Sequence, residues 1–223
     1  MLFRSRRRGG QLRGLERAGL LTVRRGSTPC IPPPRWLAVR SSNTHLLKEL
    51  LGMGSGFPQP WSEALMRCRD KMLFVSPPVE GWTLIVGGAI PDPSDDVDAC
   101  YHFLTRLSRD IGEVQFFAAD RVLNHHAWVR VRDGHVVRGY AWSGETLWNE
   151  GRITLDERFL GLQVHDYAED IQPVRYDEAP AEQTNAERVV LLARRWGIDP
   201  IEASEIILQV EHLASDPESP GRD

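Results

Sequence analysis

No run in this chain approaches the roughly 18 consecutive apolar residues of a membrane-spanning helix, so no membrane span is expected. Cysteine is also scarce. The three present, Cys30, Cys68 and Cys100, are odd in number and far apart, which excludes a disulfide framework and leaves no CxxC metal knuckle. A reducing cytoplasm is the expected home. Nor does any motif fix a reaction or a ligand. No cofactor and no metal site are expected.

Positive charge is concentrated in one segment. Residues 1–34 carry Arg4, Arg6, Arg7, Arg8, Arg13, Arg17, Arg24 and Arg25 against the single acid Glu16. The whole chain stands at −4, so the remainder stands at −11. An acidic body with a basic leader follows. Twin-arginine export is excluded for that leader because no apolar stretch follows Arg6-Arg7-Arg8. Residues 1–34 read as a basic, disordered segment ending in Pro32-Pro33-Pro34. They also offer the one route to nucleic acid. Globular patterning begins at Arg35-Trp36, so the native start could lie downstream of Met1, which N-terminal sequencing would decide.

At 223 residues and 25.3 kDa the chain suffices for one large or two small domains. Its organising stretch is Gly112–Gly151, with three of the seven Trp and the clearest hairpin signal. Asp133-Gly134 between two β-rich runs is a two-residue type I′ turn, because both positions need positive φ. That turn sets a register in which Val129 faces Arg138, Trp128 faces Gly139 and His126 faces Ala141. One side of the ribbon then carries Ala127, Val129, Val131, Val136, Tyr140 and Trp142, with Arg138 at its edge, and reads as core. The other carries His126, Trp128, Arg130, Arg132, His135 and Val137 and reads as half wet, with Trp128 covering Gly139.

Upstream, Trp36–Arg40 reads as a strand and Asn43 caps a helix closed by Gly52. Ser62–Arg69 is a second short helix with Leu65 and Met66 inward. Met72–Ser76 and Trp82–Gly87 are strands, the second apolar enough for a two-sided position. The carboxylates of Asp92, Asp95, Asp96 and Asp98 lack calcium-loop spacing. They fit better as the first turn of a helix capped by Ser94 and ended by Gly112. Cys100 lies on the buried stripe of that helix.

Downstream, Thr154-Leu155-Asp156-Glu157 is a capping box. Leu162–Tyr167 reads as an edge strand and residues 169–183 as an acidic linker. Thr184-Asn185-Ala186-Glu187 and Asp199-Pro200-Ile201-Glu202 open a helical hairpin over 184–214, followed by a disordered tail over 215–223. Its second helix carries Glu202, Glu205 and Glu211 and no Lys or Arg, which excludes groove reading of DNA. The stripe of Val189, Leu192, Ala193 and Trp196 with Ile201, Ile206, Ile207 and Val210 is a docking face for the sheet or for a partner.

The architecture implied is α+β: a mostly antiparallel sheet of five to seven strands over 35–168, helices packed on one face, plus the C-terminal helical pair. His125 and His126, adjacent in a strand, point to opposite faces and cannot ligate one ion together. His126 shares its face with Trp128 and Arg130, and with Trp148 these are the candidate binding residues. A protein–protein interaction module with an acidic surface, taking a partner with a basic surface, is the function expected. The alternatives are a hydrolase using His126 with Glu145 or Glu150, and nucleic-acid binding through residues 1–34.

Overall fold

A computed structural model describes residues 32–54, 57–120, 125–167 and 185–215. The leader, the linker and the tail fall outside them, apart from Pro32–Pro34 and Ser215. In chain order the elements are β1 (Arg35–Val39), α1 (Thr44–Leu50), α2 (Trp61–Met66), β2 (Phe74–Val75), β3 (Thr83–Val86) and α3 (Val97–Ile111). The strands β4 (Glu113–Asp120), β5 (His125–Arg132), β6 (His135–Ser143) and β7 (Thr146–Glu150) follow. The helices α4 (Leu155–Phe159), α5 (Asn185–Trp196) and α6 (Pro200–Ser215) close the described chain.

The strands form one sheet in the order β2-β3-β1-β4-β5-β6-β7, with every neighbouring pair antiparallel. Strand β1 has Trp36, Leu37, Ala38 and Val39 completely buried, so both faces of the sheet are covered at its centre. On one face α3 lays its stripe of Cys100, Leu104 and Leu107, with Leu47 of α1, over Leu37, Val39, Ile85, Val114, Phe116 and Val129. On the other, α5 contributes Val189, Leu192, Ala193 and Trp196, joined by Trp61 of α2 and Ile207 of α6, over Trp36, Trp82, Phe117, Trp128 and Tyr140. The α+β class, the antiparallel sheet and the C-terminal pair are those the sequence implied. The helices, however, are shared between both faces, because α5 spends its apolar stripe on the sheet instead of leaving that side wet.

Several local expectations change for identifiable reasons. The cap of α3 is Asp96, which accepts from Ala99 N at 2.9 Å, and not Ser94. Ser94 is drawn back instead by Asp92, whose Oδ1 accepts from Ser94 N at 2.9 Å and from its hydroxyl at 2.7 Å, and the helix begins later. Met66 points to solvent, since α2 ends there and its inward positions are Trp61 and Ala64. Leu162–Tyr167 forms no strand. Its backbone is held by side chains, with Thr146 Oγ1 donating to His165 O and His165 N donating to the Tyr140 hydroxyl.

The largest change is in the hairpin. Asp133 and Gly134 have φ of 49° and 80°, as the turn requires, and Arg132 pairs with His135 and Val131 with Val136. Val137 is then extra: Arg130 pairs with Arg138, Trp128 with Tyr140 and His126 with Trp142. A one-residue bulge turns every later side chain to the opposite face. Arg138 and Tyr140 therefore join Trp128 and His126 in burial under α4 and α5, with Trp142 partly buried beside them. Arg130 and Arg132 near the turn keep that end of the side open to solvent. Gly139 is covered from the other face by Trp148, where an added Cβ would lie 2.9 Å from the indole.

Candidate functional site

Four polar clusters lie in or against the sheet. The deepest begins with the bulge that turns Arg138 inward. Glu157, at the third position of α4, receives Arg138 Nε and Trp128 Nε1 on one carboxylate oxygen, both at 2.8 Å. Its other oxygen accepts from Thr154 N at 2.7 Å, completing the capping box. Arg138 Nη1 donates to Gly139 O, Asn149 Oδ1 and Glu150 O. Both members of the ion pair are fully buried, and Arg138 Nη2 has no hydrogen-bond partner among the described residues.

The second cluster stands at the start of β5. His125 Nε2 lies 3.0 Å from Asp92 Oδ1, its Nδ1 faces Trp142 O at 3.2 Å, and Arg35 Nε stands 3.4 Å from Asp92 Oδ2. Burial alone would raise the Asp92 carboxyl, but His125 and Ser94 outweigh it and hold it at about 2. Burial likewise lowers His125, and contact with Asp92 more than reverses this, leaving its affinity for a proton raised. A catalytic histidine needs one ring nitrogen for its orienting partner and one for the substrate. Here protein groups face both. The arrangement is an Arg–Asp–His ion cluster, with Asp92 and His125 buried and Arg35 partly exposed, that ties the β3–α3 loop to β1 and β5.

His126, next in sequence, points to the other face. It stacks between Trp128 and Trp142, with ring centroids at 5.8 and 5.4 Å. Asn185 fixes its tautomer: the amide oxygen accepts from Gln163 N and the amide nitrogen donates to Gln163 O, leaving that nitrogen 3.0 Å from His126 Nε2. Nε2 is thus an acceptor and the proton sits on Nδ1. Burial, with His125 and His165 nearby, pushes His126 down to about 3.

The residues singled out from sequence are dispersed. Glu150 accepts from Trp148 Nε1, and that indole packs on the α3 side of the sheet, whereas His126 stacks with Trp128 on the α5 side. Glu145 is exposed in the β6–β7 turn. Trp128, His126 and Trp148 are buried. Arg130 is partly exposed and donates from Nε to Glu113 Oε1 at 2.8 Å. Among the described residues no group of His, Cys, Asp and Glu is placed to hold a metal ion, and no helix is long and apolar enough to cross a membrane. The chain matches no protein-family model, no curated protein and no solved structure.

What remains accessible lies at the periphery. Helix α6 buries Ala203 and Ile207 but exposes Ile206, Val210 and Leu213, the last two at 61% and 74%. Beside it is a groove of about 620 Å³ lined by Met53, Phe57, Trp61, Ala64, Met72 and Phe74, with Glu211 of α6 at its border. Phe57 on its wall is 88% exposed. The carboxylate of Glu211 accepts from Trp61 N, joining α6 to the start of α2. The apolar hairpin stripe was visible in the sequence; that α6 turns half of it outward was not, because α5 supplies most of the cover on that face and α6 reaches the core only through Ala203, Ile207 and Leu208.

Proposed function

We propose that the chain is a protein-interaction module whose docking surface is the outer side of α6 with the adjoining groove. The observation that carries this is the two-sided apolarity of α6. A second apolar stripe left open on a helix that already buries one is the kind of exposed patch that marks an interaction site. Ile206, Val210 and Leu213 stand at i, i+4 and i+7, the spacing by which one helix receives another. Glu202 and Glu205 are exposed on the same helix. Those carboxylates favour an amphipathic partner segment with Lys or Arg beside its apolar stripe, and they oppose pairing of two copies through the same stripe.

The test compares the full-length chain with a Val210→Glu/Leu213→Glu variant, both used at low salt to retain proteins from the native cell. A defined partner held by the wild type, released by salt and lost in the variant with its circular dichroism unchanged, is the expected result. If both versions hold the same proteins, the surface is wrong. A concentration-dependent dimer abolished by the same change would assign it to a second copy of the chain.

A further inference from the structure

A second surface, of opposite sign, lies on the α5 side of the sheet at the end where β1 and β5 finish and β4 begins. Glu113 is buried there and surrounded by cations. Its Oε1 accepts from Arg130 Nε at 2.8 Å and from Gln115 Nε2 at 2.9 Å. Its Oε2 accepts from Arg132 Nε at 3.1 Å, and Arg40 Nη1 stands off at 4.0 Å. Three guanidinium groups thus face one carboxylate, leaving two positive charges uncompensated within the cluster. Arg40 and Arg132 are 66% and 47% exposed.

Like charges held this closely repel, so the cluster needs support, and the fold provides it. Arg40 lies over Trp82 at 6.0 Å and Arg130 over Trp196 at 5.7 Å, each guanidinium resting near an indole that is itself buried. Gln115 ties Glu113 to the end of α5 by donating also to Trp196 O at 3.1 Å. The guanidiniums are consequently positioned before any ligand arrives, which reduces the ordering cost of binding. Glu113 meets Arg130 through Nε, Arg132 through Nε and Nη2, and Arg40 only at 4.0 Å through Nη1. The exposed Arg40 and Arg132 can offer their remaining guanidinium N–H groups to the fork of an incoming carboxylate.

We propose that Arg40, Arg130 and Arg132 bind the carboxylates of an acidic protein segment. Nucleic acid fits less well. Single strands need open aromatic faces for stacking, and Trp82 and Trp196 are buried beneath arginines. Duplex binding by charge alone takes several phosphate contacts, and this patch carries three cations on a chain whose net charge is −4. Two surplus charges match paired carboxylates instead. The assignment is independent of the α6 surface, which selects the opposite charge by a different helix.

Calorimetric titration of the full-length chain with poly-L-glutamate at low salt tests it, with Arg40→Glu/Arg132→Glu for comparison. Loss of two charge-assisted contacts should weaken binding by more than about tenfold. If circular dichroism shows that this variant does not fold, Arg40→Gln/Arg132→Gln is read instead, with a weakening of at least about threefold expected. Unchanged affinity would overturn the proposal and place the binding elsewhere, with the arginines of residues 1–34 as the obvious source. Absence of binding by the wild type would also overturn it. So would an oligo-dT of matched charge that binds more tightly than poly-L-glutamate and is lost in the same variant.

Discussion

Replacing Glu157 by Gln should destabilise this chain more than any surface change. The carboxylate is fully buried and has three donors: Arg138 Nε and Trp128 Nε1 at 2.8 Å, and Thr154 N at 2.7 Å. The amide keeps one acceptor oxygen but places an NH2 against a donor and leaves the Arg138 charge without its counterion. Breaking a buried pair from one side costs about 3–5 kcal/mol. In a chain of this size that lowers the thermal midpoint by roughly 6–20 °C. Glu157→Leu with Arg138→Met removes both charges together and should recover much of the loss, since apolar replacement of a whole buried pair is often neutral. The assay is thermal and urea unfolding of the wild type, Glu157→Gln, the Glu157→Leu and Arg138→Met single variants and their double variant, followed by tryptophan fluorescence. A coupling of about 2 kcal/mol or more is expected from that cycle. A loss below about 1 kcal/mol for Glu157→Gln, or strictly additive single variants, would refute the idea that this pair anchors α4 to the sheet.

Acidification should lower the stability of the fold over two successive pH windows. His126 is lowered from 6.5 to about 3, so the unfolded chain takes up its proton first and this contribution is lost as pH falls below 6.5. Asp92 is lowered from 3.8 to about 2, and its contribution fades only below 3.8. His125 is raised, so its contribution is complete below 6.5 and disappears as pH climbs past its raised value. His126→Phe should flatten the profile between pH 6.5 and 3 in urea titrations, and an unchanged slope there would count against a buried neutral imidazole. Gly197→Ala should cost roughly 1–3 kcal/mol, because a Cβ would fall 2.3 Å from the Trp82 ring; unfolding midpoints equal to the wild type would contradict that packing. Cys68 and Cys100 are buried with thiols pushed up by burial, so a thiol reagent should label them only after denaturation. Prompt labelling of either in the native chain would be incompatible with the core described.

Elements whose signals are local were legible. The Asn43 cap, the Asp133-Gly134 turn, the Thr154 capping box and the stripe of α3 all depend on residues within a turn or two of each other. The charged clusters were not legible, because their members meet only through the sheet. Arg35 reaches Asp92 across the β1–β3 side, and Asp92 reaches His125 from a loop to β5. Glu113 meets Arg130 and Arg132 because β4 and β5 are neighbours in register, Glu113 opposite Arg132. Pairing arithmetic from the sequence stopped at the one hairpin whose turn could be typed.

Even there, one residue decided the outcome. Strict alternation from the turn put Arg138 on the edge of an otherwise apolar side, a conflict between charge and surroundings. Such a conflict has two resolutions in a strand: the arginine lies at a wet rim, or the phase breaks. The bulge at Val137 is the second, and it carries Arg138 to a face where Glu157, 19 residues on, neutralises it. Glu157 looks complete in sequence as the acid of a capping box, yet that role occupies only Oε2. The other oxygen is what allows an arginine inside this fold, so bulge and buried acid need one another. A variant that deletes Val137 would remove the extra residue while keeping Arg138 opposite Arg130 and Tyr140 opposite Trp128, so Arg138 would still face Glu157. It should therefore give soluble, cooperatively unfolding protein, and failure of this deletion to fold would break the link between the phase of β6 and the Arg138–Glu157 pair.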